Sequence, residues 1–234
     1  MLVRALELPA FWGDPKRALA EVERRLADAP HADLVLLPEQ CLSGYVSPAG
    51  EFDLAPYAET LSGPTAQACA RVASTHGVYL VAPLVLREGD AIYNATICHA
   101  PDGSQPFVYR KRHPWIPETW ATPGPNQLPL VTIGDIRITI AVCYDIHFLL
   151  DGEGEDALDA ADLMLFPSAW VERPDNRFTH LAQLARQADV AVLNANWAPG
   201  VVRVHGQGGS CAIGRDGTVV AVAPLAGHVD LVVG

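Results

Sequence analysis

Two short segments of the 234-residue chain share one pattern, and this pattern decides the expected fold. The first reads Ala-Asp-Leu-Val-Leu-Leu-Pro at 32–38, and the second reads Ala-Asp-Leu-Met-Leu-Phe-Pro at 161–167. Each contains an unbroken apolar run, which is typical of a parallel strand that is covered on both faces. Each also follows a helical segment and ends in proline. The repetition predicts a pseudo-symmetric core of two sheets with related halves.

Amphipathic segments surround these strands. Asp14-Pro15 predicts the start of a helix, since Asp caps a helix and Pro suits its first turn, and apolar residues follow at helical spacing. A second helix is predicted from 62–64 to Gly77, and a third over 178–187. Buried strands that alternate with amphipathic helices predict the α/β class. No linker interrupts the pattern, so we expect a single domain over 1–234.

Composition excludes several function classes. The formal net charge of −11 and the pI near 5.0 would repel phosphate backbones, so nucleic acid is not an expected partner. Five cysteines without a Cys-x-x-Cys pair indicate reduced, cytoplasmic usage. We expect no signal peptide and no membrane association. The eight histidines form no metal motif and no nucleotide loop is apparent, so neither a metal nor a cofactor is expected.

Three polar residues follow predicted strands and are candidates for catalysis. Cys143 follows the apolar run 136–142, Glu39 follows Pro38, and Lys111 ends the run 107–111. A nucleophile at a strand end is held rigidly while it faces a cleft. Each residue alone also fits a structural role: a buried thiol, a surface carboxylate or an exposed lysine on an edge strand.

Taken together, the three segments resemble the nitrilase superfamily of carbon–nitrogen hydrolases. Pro38-Glu39, Tyr109-Arg-Lys111 and Cys143-Tyr-Asp145 occur in the family's order, and the segments 42–45, 93–95, 161–169 and 208–217 extend the similarity over nearly the whole chain. The resemblance implies a four-layer α-β-β-α sandwich. It also implies a catalytic triad of Glu39, Lys111 and Cys143 that forms a thioester with a small amide and needs no cofactor.

The segment from Lys111 to Gly124 is similar to the aliphatic amidase branch, in which Pro-Trp, Glu, Trp and Pro-Gly follow the Lys. By this similarity Glu118 would hold Lys111 or position the substrate, although it lies one place earlier than in that branch. Elsewhere the chain departs from the family. His147 stands where many members have Arg, the Glu that follows in them is absent, and the loop 151–156 is acidic.

By this resemblance, Glu39 would act as general base while the Lys111 ammonium favours the Cys143 thiolate, and Lys111 and the backbone N–H of Tyr144 would stabilise the oxyanion. A small, largely apolar pocket is predicted from aromatic side chains near strand ends. The predicted binding residues are Tyr144, Trp115, Trp120, Trp170 and His147.

Several alternatives stay open. Nitrilases typically follow the Cys with Trp-Glu, whereas this chain has Tyr144-Asp145, so amides are favoured over nitriles. An amidohydrolase of N-carbamoyl amines or amino acids, or an omega-amidase, remains an option, with Arg173 and Arg177 available for a substrate carboxylate. A catalytically silent binding protein is a further alternative. The resemblance also implies a homodimer.

Overall fold

The computed structural model describes residues 1–234, apart from the side chain of Glu155 in the acidic loop 151–156. Helices and strands alternate over most of the chain. In chain order they are β1 (Leu2–Leu6), α1 (Pro15–Asp28), β2 (Leu34–Leu36), α2 (Pro64–His76), β3 (Tyr79–Glu88), β4 (Ala91–His99), β5 (Val108–Arg110), β6 (Leu130–Ile133), β7 (Ile136–Ile140), α3 (Ile146–Leu149), α4 (Glu155–Ala160), β8 (Leu163–Ser168), α5 (Arg177–Ala188), β9 (Ala191–Asn196), β10 (Cys211–Ile213), β11 (Val219–Val222) and β12 (His228–Val232).

The described chain forms two six-stranded sheets with corresponding topologies. The strand orders are β12-β1-β2-β3-β4-β5 and β6-β7-β8-β9-β10-β11. In each sheet three central strands run parallel, β1-β2-β3 and β7-β8-β9, while the strands beside them are antiparallel. The two segments that share the Ala-Asp…Pro pattern form β2 and β8, the middle strands of the two parallel triplets. The predicted pseudo-symmetric core is confirmed.

The sheets pack face to face, with helices on their outer faces. Helices α1 and α2 pack on each other and bury their apolar faces against β2 and β3 of the first sheet. Helices α4 and α5 cover the second sheet. Strands β1 and β9 contact each other across the interface between the sheets. This arrangement is the four-layer α-β-β-α sandwich that the sequence predicted.

Helix ends follow the local signals in the sequence. The carboxylate of Asp14 accepts the N–H of Arg17 at 3.0 Å and Pro15 begins α1, as predicted. Helix α2 ends at Gly77, which adopts a φ of 65° that a residue without a side chain adopts at little cost. Strand β12 is one element that the sequence did not predict, and it completes the first sheet by pairing with β1.

An aspartate at the start of each middle strand performs the same structural task. The Asp33 side chain accepts the backbone N–H of Leu2 at 2.6 Å, and the Asp162 side chain accepts that of Arg137 at 2.9 Å. Each aspartate therefore fixes the register between the middle strand and the preceding parallel strand. In the described chain, no helix is long and apolar enough to cross a membrane.

Candidate active site

The predicted catalytic residues converge at the ends of four strands. Glu39 follows β2, Lys111 follows β5, Cys143 follows β7, and the backbone N–H of Ala169 follows β8. Because the parallel strands of both sheets present these ends toward one region, side chains that lie far apart in the sequence come together. All four residues are buried.

Lys111 lies between two carboxylates. Its Nζ donates to Glu39 Oε1 at 2.7 Å, to Glu118 Oε1 at 2.9 Å and to Glu118 Oε2 at 3.1 Å. The side chains of Lys111 and Glu39 are 0% exposed, and that of Glu118 is 2% exposed. Charges so completely removed from water are costly unless they are paired and hydrogen-bonded. Their retention is typical of a functional site rather than of a stability device.

Neutral donors complete the hydrogen bonds of both carboxylates. Asn94 Nδ2 donates to Glu39 Oε1 at 2.8 Å, and the Tyr45 hydroxyl donates to Glu118 Oε1 at 3.0 Å. The backbone N–H of Ala169 donates to Glu39 Oε2 at 3.0 Å. The sequence argument did not assign a role to Asn94 or Tyr45, although both lie in segments that carry the family resemblance.

Asn94 is itself held in one orientation. Its Oδ1 accepts from Gln40 Nε2 at 2.7 Å, which leaves the amide NH₂ pointing at Glu39. Gln40 has a φ of 48°, in the left-handed region that costs energy for a residue with a side chain. The turn after β2 therefore aims two consecutive side chains, those of Glu39 and Gln40, at the same buried cluster.

A strained turn presents Cys143. The residue has a φ of 49° and begins a short 3-10 turn, Cys143–Asp145. Asp145 anchors this turn, since its Oδ2 accepts the N–H of Val142 at 2.9 Å and the Tyr109 hydroxyl at 2.7 Å. Its Oδ1 accepts the N–H of His113 at 2.9 Å. The Asp of the Cys-Tyr-Asp motif is thus an anchor for the turn, a role that the sequence argument left unassigned.

The electrostatics of the cluster follow from its burial. Burial raises the pKa of Glu118, and the negative charge of Glu39 adds to this effect while Lys111 opposes it. Burial alone would lower the pKa of Lys111, but Glu118 and Glu39 together raise it above its ordinary value. The lysine therefore remains an ammonium ion at neutral pH and is available as a fixed positive charge.

Burial dominates the electrostatics of the Cys143 thiol. Burial raises its pKa well above the ordinary value, Glu39 adds to the rise, and Lys111 and the N–H of Ala169 offset only part of it. Lys111 lowers the pKa of the thiol, as expected, but burial outweighs this effect. The raised pKa favours the thiol over the thiolate.

Cys143 opens into a small pocket with aromatic walls. The pocket is lined by Tyr45, Trp115, Cys143, Tyr144, Ala169, Trp170, Val171 and Glu172. Its empty space is about 240 Å³ with the open mouth included. Of the predicted binding residues, Tyr144, Trp115 and Trp170 therefore line one pocket with Cys143.

The other two predicted binding residues lie elsewhere. Trp120 does not line the described pocket, because the chain turns after Glu118 and runs back along β4 and β5, where the N–H of Gly124 donates to the Lys111 carbonyl at 2.9 Å. A Cβ at Gly124 would lie 2.1 Å from the Arg110 carbonyl oxygen, so only glycine permits this return. His147 does not line the described pocket either, and its Nε2 lies 2.7 Å from Glu172 Oε1.

Neither arginine that could serve as a carboxylate clamp lines the pocket. Arg173 is exposed, and Arg177 is buried with its Nη2 donating to the Gly208 carbonyl at 3.0 Å. Among the described residues, no group of three or more His, Cys, Asp or Glu side chains could hold a metal ion. All five cysteines, each in the described chain, are free.

The sequence profile of the carbon-nitrogen hydrolase family matches residues 3–228. The chain belongs to this family. It is 33% identical over 145 residues to a hydrolase encoded in the pqqF 5′ region of Pseudomonas protegens, with 61% of this chain and 50% of the relative covered. It is 29% identical over 148 residues to an (R)-stereoselective amidase of a Pseudomonas species, with 63% and 53% covered.

The chain spans about half the length of those two curated relatives. Among solved structures, a cysteine-to-alanine mutant of an amidase from Nesterenkonia, of the nitrilase superfamily, superposes with a TM-score of 0.85 at 22% identity, and the match covers 99% of this chain and 90% of the amidase. The predicted superfamily and sandwich fold are confirmed.

Proposed function

We propose that the protein hydrolyses the C–N bond of a small primary amide through a cysteine thioester, releasing ammonia and a carboxylic acid. One observation carries the proposal: the buried Glu39–Lys111–Glu118 cluster lies beside the Cys143 thiol, which lines a small pocket. The cluster offers a carboxylate base and a fixed positive charge. Membership of the carbon-nitrogen hydrolase family supports the same chemistry.

In the first half of the proposed reaction, Cys143 Sγ attacks the amide carbonyl carbon while Glu39 takes the thiol proton. The raised pKa of Cys143 supports this general-base route over a preformed thiolate. The C=O electron pair moves to oxygen, where the Lys111 ammonium and the Tyr144 backbone N–H are the proposed donors. The C–N bond then breaks, the leaving nitrogen takes the proton from Glu39, and a thioester on Cys143 remains.

In the second half, water replaces ammonia. Glu39, again a carboxylate, takes a proton from water as the water oxygen attacks the thioester carbonyl carbon. The C–S bond breaks, the Cys143 sulfur regains the proton from Glu39, and the carboxylic acid leaves. Glu118 accepts hydrogen bonds from the Tyr45 hydroxyl and the backbone N–H of Trp115, and it is proposed to hold Lys111 in place rather than to transfer protons.

The pocket supports short, largely apolar amides and argues against substrates that carry a carboxylate. Four of its lining residues are aromatic, and no arginine or lysine lines the described pocket. An N-carbamoyl amino acid or an ω-amide acid would bring a carboxylate into an acidic protein without the bidentate clamp that usually binds it. An aliphatic amidase activity is therefore the favoured form of the proposal.

Ammonia release from a panel of compounds tests the proposal. The panel contains short and long aliphatic amides, a nitrile, an ω-amide acid and an N-carbamoyl amino acid. We expect the highest kcat/KM for short neutral amides, and lower values for longer chains that meet the pocket walls. A preference for either acid, or for the nitrile, would overturn the aliphatic-amidase assignment.

Cys143→Ala supplies the catalytic control. This variant should lose turnover, because the nucleophile is removed. It should keep its folding transition, because the substitution leaves the strained backbone at this residue as it is. Cys211→Ala is the matched variant, since that thiol is also buried but lies in β10 outside the described pocket. Turnover by Cys143→Ala near the wild-type rate would rule out the thioester route.

Three broader expectations remain proposals. We propose that the chain is a single catalytic domain, that it works in the cytoplasm, where its five free cysteines stay reduced, and that it forms a homodimer, as the superfamily resemblance implies. Light scattering that shows a strict monomer, or a hexamer or larger assembly, would contradict the last of these.

A further inference from the structure

Glu172 is the one residue of the described pocket lining with an ordinarily ionised side chain. The remaining residues are Tyr45, Trp115, Cys143, Tyr144, Ala169, Trp170 and Val171. Glu172 is 31% exposed and lies directly after the wall residues Trp170 and Val171. A carboxylate in this place has no part in the proposed hydrolysis, in which Glu39 and Glu118 already serve as base and positioning group.

A histidine holds this carboxylate in place. His147 Nε2 lies 2.7 Å from Glu172 Oε1, and the His147 ring stacks against Trp170 with centroids 6.1 Å apart. An imidazole that carries a proton on Nε2 can donate this bond, which involves only one of the two carboxylate oxygens. Glu172 Oε2 accepts no hydrogen bond from the described residues. The carboxylate is therefore oriented by one oxygen and available through the other.

The aromatic walls have the complementary property. Tyr45, Trp115, Tyr144 and Trp170 line the same pocket, and Tyr45 and Trp115 stack with centroids 6.4 Å apart. The electron-rich faces of such rings attract cations, and aromatic walls beside a carboxylate are a recurrent means of binding an ammonium group. The net charge of −11 favours the approach of a cation as well.

From this combination we infer that the preferred substrate is a short primary amide whose acyl chain carries an ammonium group, which Glu172 and the aromatic walls bind while the carbonyl reaches Cys143. The inference rests on the proposed amide hydrolysis and specifies its substrate class. It ranks ammonium-bearing amides above neutral amides, and neutral amides above those with a carboxylate.

Isosteric pairs of amides test the ranking, because each pair differs only by an ammonium in place of a methyl group. The pairs are glycinamide and propionamide, β-alaninamide and butyramide, and γ-aminobutyramide and valeramide. At neutral pH, the wild-type protein should show a higher kcat/KM for the ammonium member at the chain length that reaches Glu172. The gain should lie mainly in KM, because the ion pair forms equally in the ground and transition states.

Glu172→Gln keeps the acceptor for His147 and removes the charge. We expect it to lower the ammonium-to-methyl ratio of kcat/KM by about two- to fivefold, the scale of a partly exposed ion pair. Glu23→Gln is the matched control, since it removes one charge from an exposed position on α1. An equal ratio in wild-type and Glu172→Gln proteins, or an equal loss in Glu23→Gln, would overturn the inference.

A binding measurement separates this inference from the proposed function. Calorimetric titration of the Cys143→Ala protein with γ-aminobutyramide and with valeramide reports recognition without turnover. Tighter binding of the ammonium member that disappears in the Cys143→Ala, Glu172→Gln double variant supports the inference even if the wild-type protein releases no ammonia. Turnover of neutral amides with no Glu172-dependent preference would leave the proposed function standing and refute the inference.

Discussion

The segments 32–38 and 161–167 fold into equivalent strands but end in different chemistry. Strands β2 and β8 are each the middle member of a parallel triplet, and Asp33 and Asp162 each bind the preceding strand through the same backbone N–H contact. After the shared proline, the first segment continues with Glu39 and the second with Ser168. The repeated pattern builds the frame, and the residue that follows it decides what the strand end contributes.

The two strand ends meet in the site. The backbone N–H of Ala169 at the end of the second segment donates to Glu39 Oε2, which belongs to the end of the first. One half therefore provides the carboxylate and the other half provides a donor that fixes it. Both halves also bury amide side chains: Asn94 bonds to Glu39, whereas Asn196 bonds to backbone groups and to Ser168.

The largest expected difference between the halves concerns the residue after the proline. Glu39→Gln should lower kcat by about 10²- to 10⁴-fold, since it removes the proposed general base while keeping the shape of the side chain. Ser168→Ala should mainly lower stability, by roughly 1 kcal/mol, because Asn194 and Asn196 lose a hydroxyl partner. Steady-state kinetics and thermal melts distinguish the two variants. Comparable losses of kcat in both would contradict the proposed difference in function between the two halves.

The buried amides offer the next contrast. Asn94→Leu should lower kcat by roughly 10²-fold with little change in KM, because Glu39 loses the donor that orients it toward the thiol. Asn196→Leu should lower the Tm instead, since the Gly206 carbonyl loses its donor and the Gly208 carbonyl loses one of its two donors. If Asn94→Leu altered only the Tm, the amide would be structural in both halves.

Thiol reactivity tests the electrostatic difference between Cys143 and a free cysteine. With its raised pKa, wild-type Cys143 should react slowly with a small neutral thiol reagent at neutral pH, and the rate should still rise with pH beyond the range where a free cysteine levels off. Glu39→Gln removes a charge that raises this pKa, so its rate curve should move to lower pH although turnover is lost. A shift to higher pH would contradict the assigned sign.

The four remaining cysteines provide the background for that measurement. Their side chains are at most 1% exposed, compared with 8% for Cys143. Burial also raises the thiol pKa at Cys41, Cys69, Cys98 and Cys211. Labelling of the native protein should therefore be lost in Cys143→Ala, which mass spectrometry of the labelled peptides would establish.

The smallest expected effects belong to the two equivalent aspartates. Asp162→Ala should destabilise the fold by about 1–2 kcal/mol, and Asp33→Ala by less, because Asp162 also binds the side chains of Arg137 and Arg215. Hydrogen bonds from Arg137 hold the pKa of Asp162 below its ordinary value. That stabilisation is therefore present above a pH of about 4 and lost as the pH falls further. Urea denaturation at neutral and acidic pH measures the destabilisation caused by each substitution and its dependence on pH.

Local sequence signals account for much of the frame. Apolar runs predicted the middle strands, and Asp14-Pro15 and Gly77 predicted helix ends. These predictions succeeded because strand burial and helix capping depend on neighbours within a few residues. Strand β12 escaped prediction, since its place depends on pairing with β1 at the other end of the chain, where Arg4 binds Asp230.

The features of the site also divide into those that the sequence indicated and those that only the tertiary structure decided. The sequence by itself indicated Glu39, Lys111, Glu118 and Cys143, because each belongs to a short motif that is similar to one family. Only the tertiary structure decided that Asn94 and the N–H of Ala169 hold Glu39, that Glu172 rather than Trp120 lines the pocket, and that burial raises the pKa of the Cys143 thiol. These properties depend on contacts between residues up to 130 positions apart and on the exclusion of water. Neither is encoded in any local pattern, because both arise only when the two sheets close on each other.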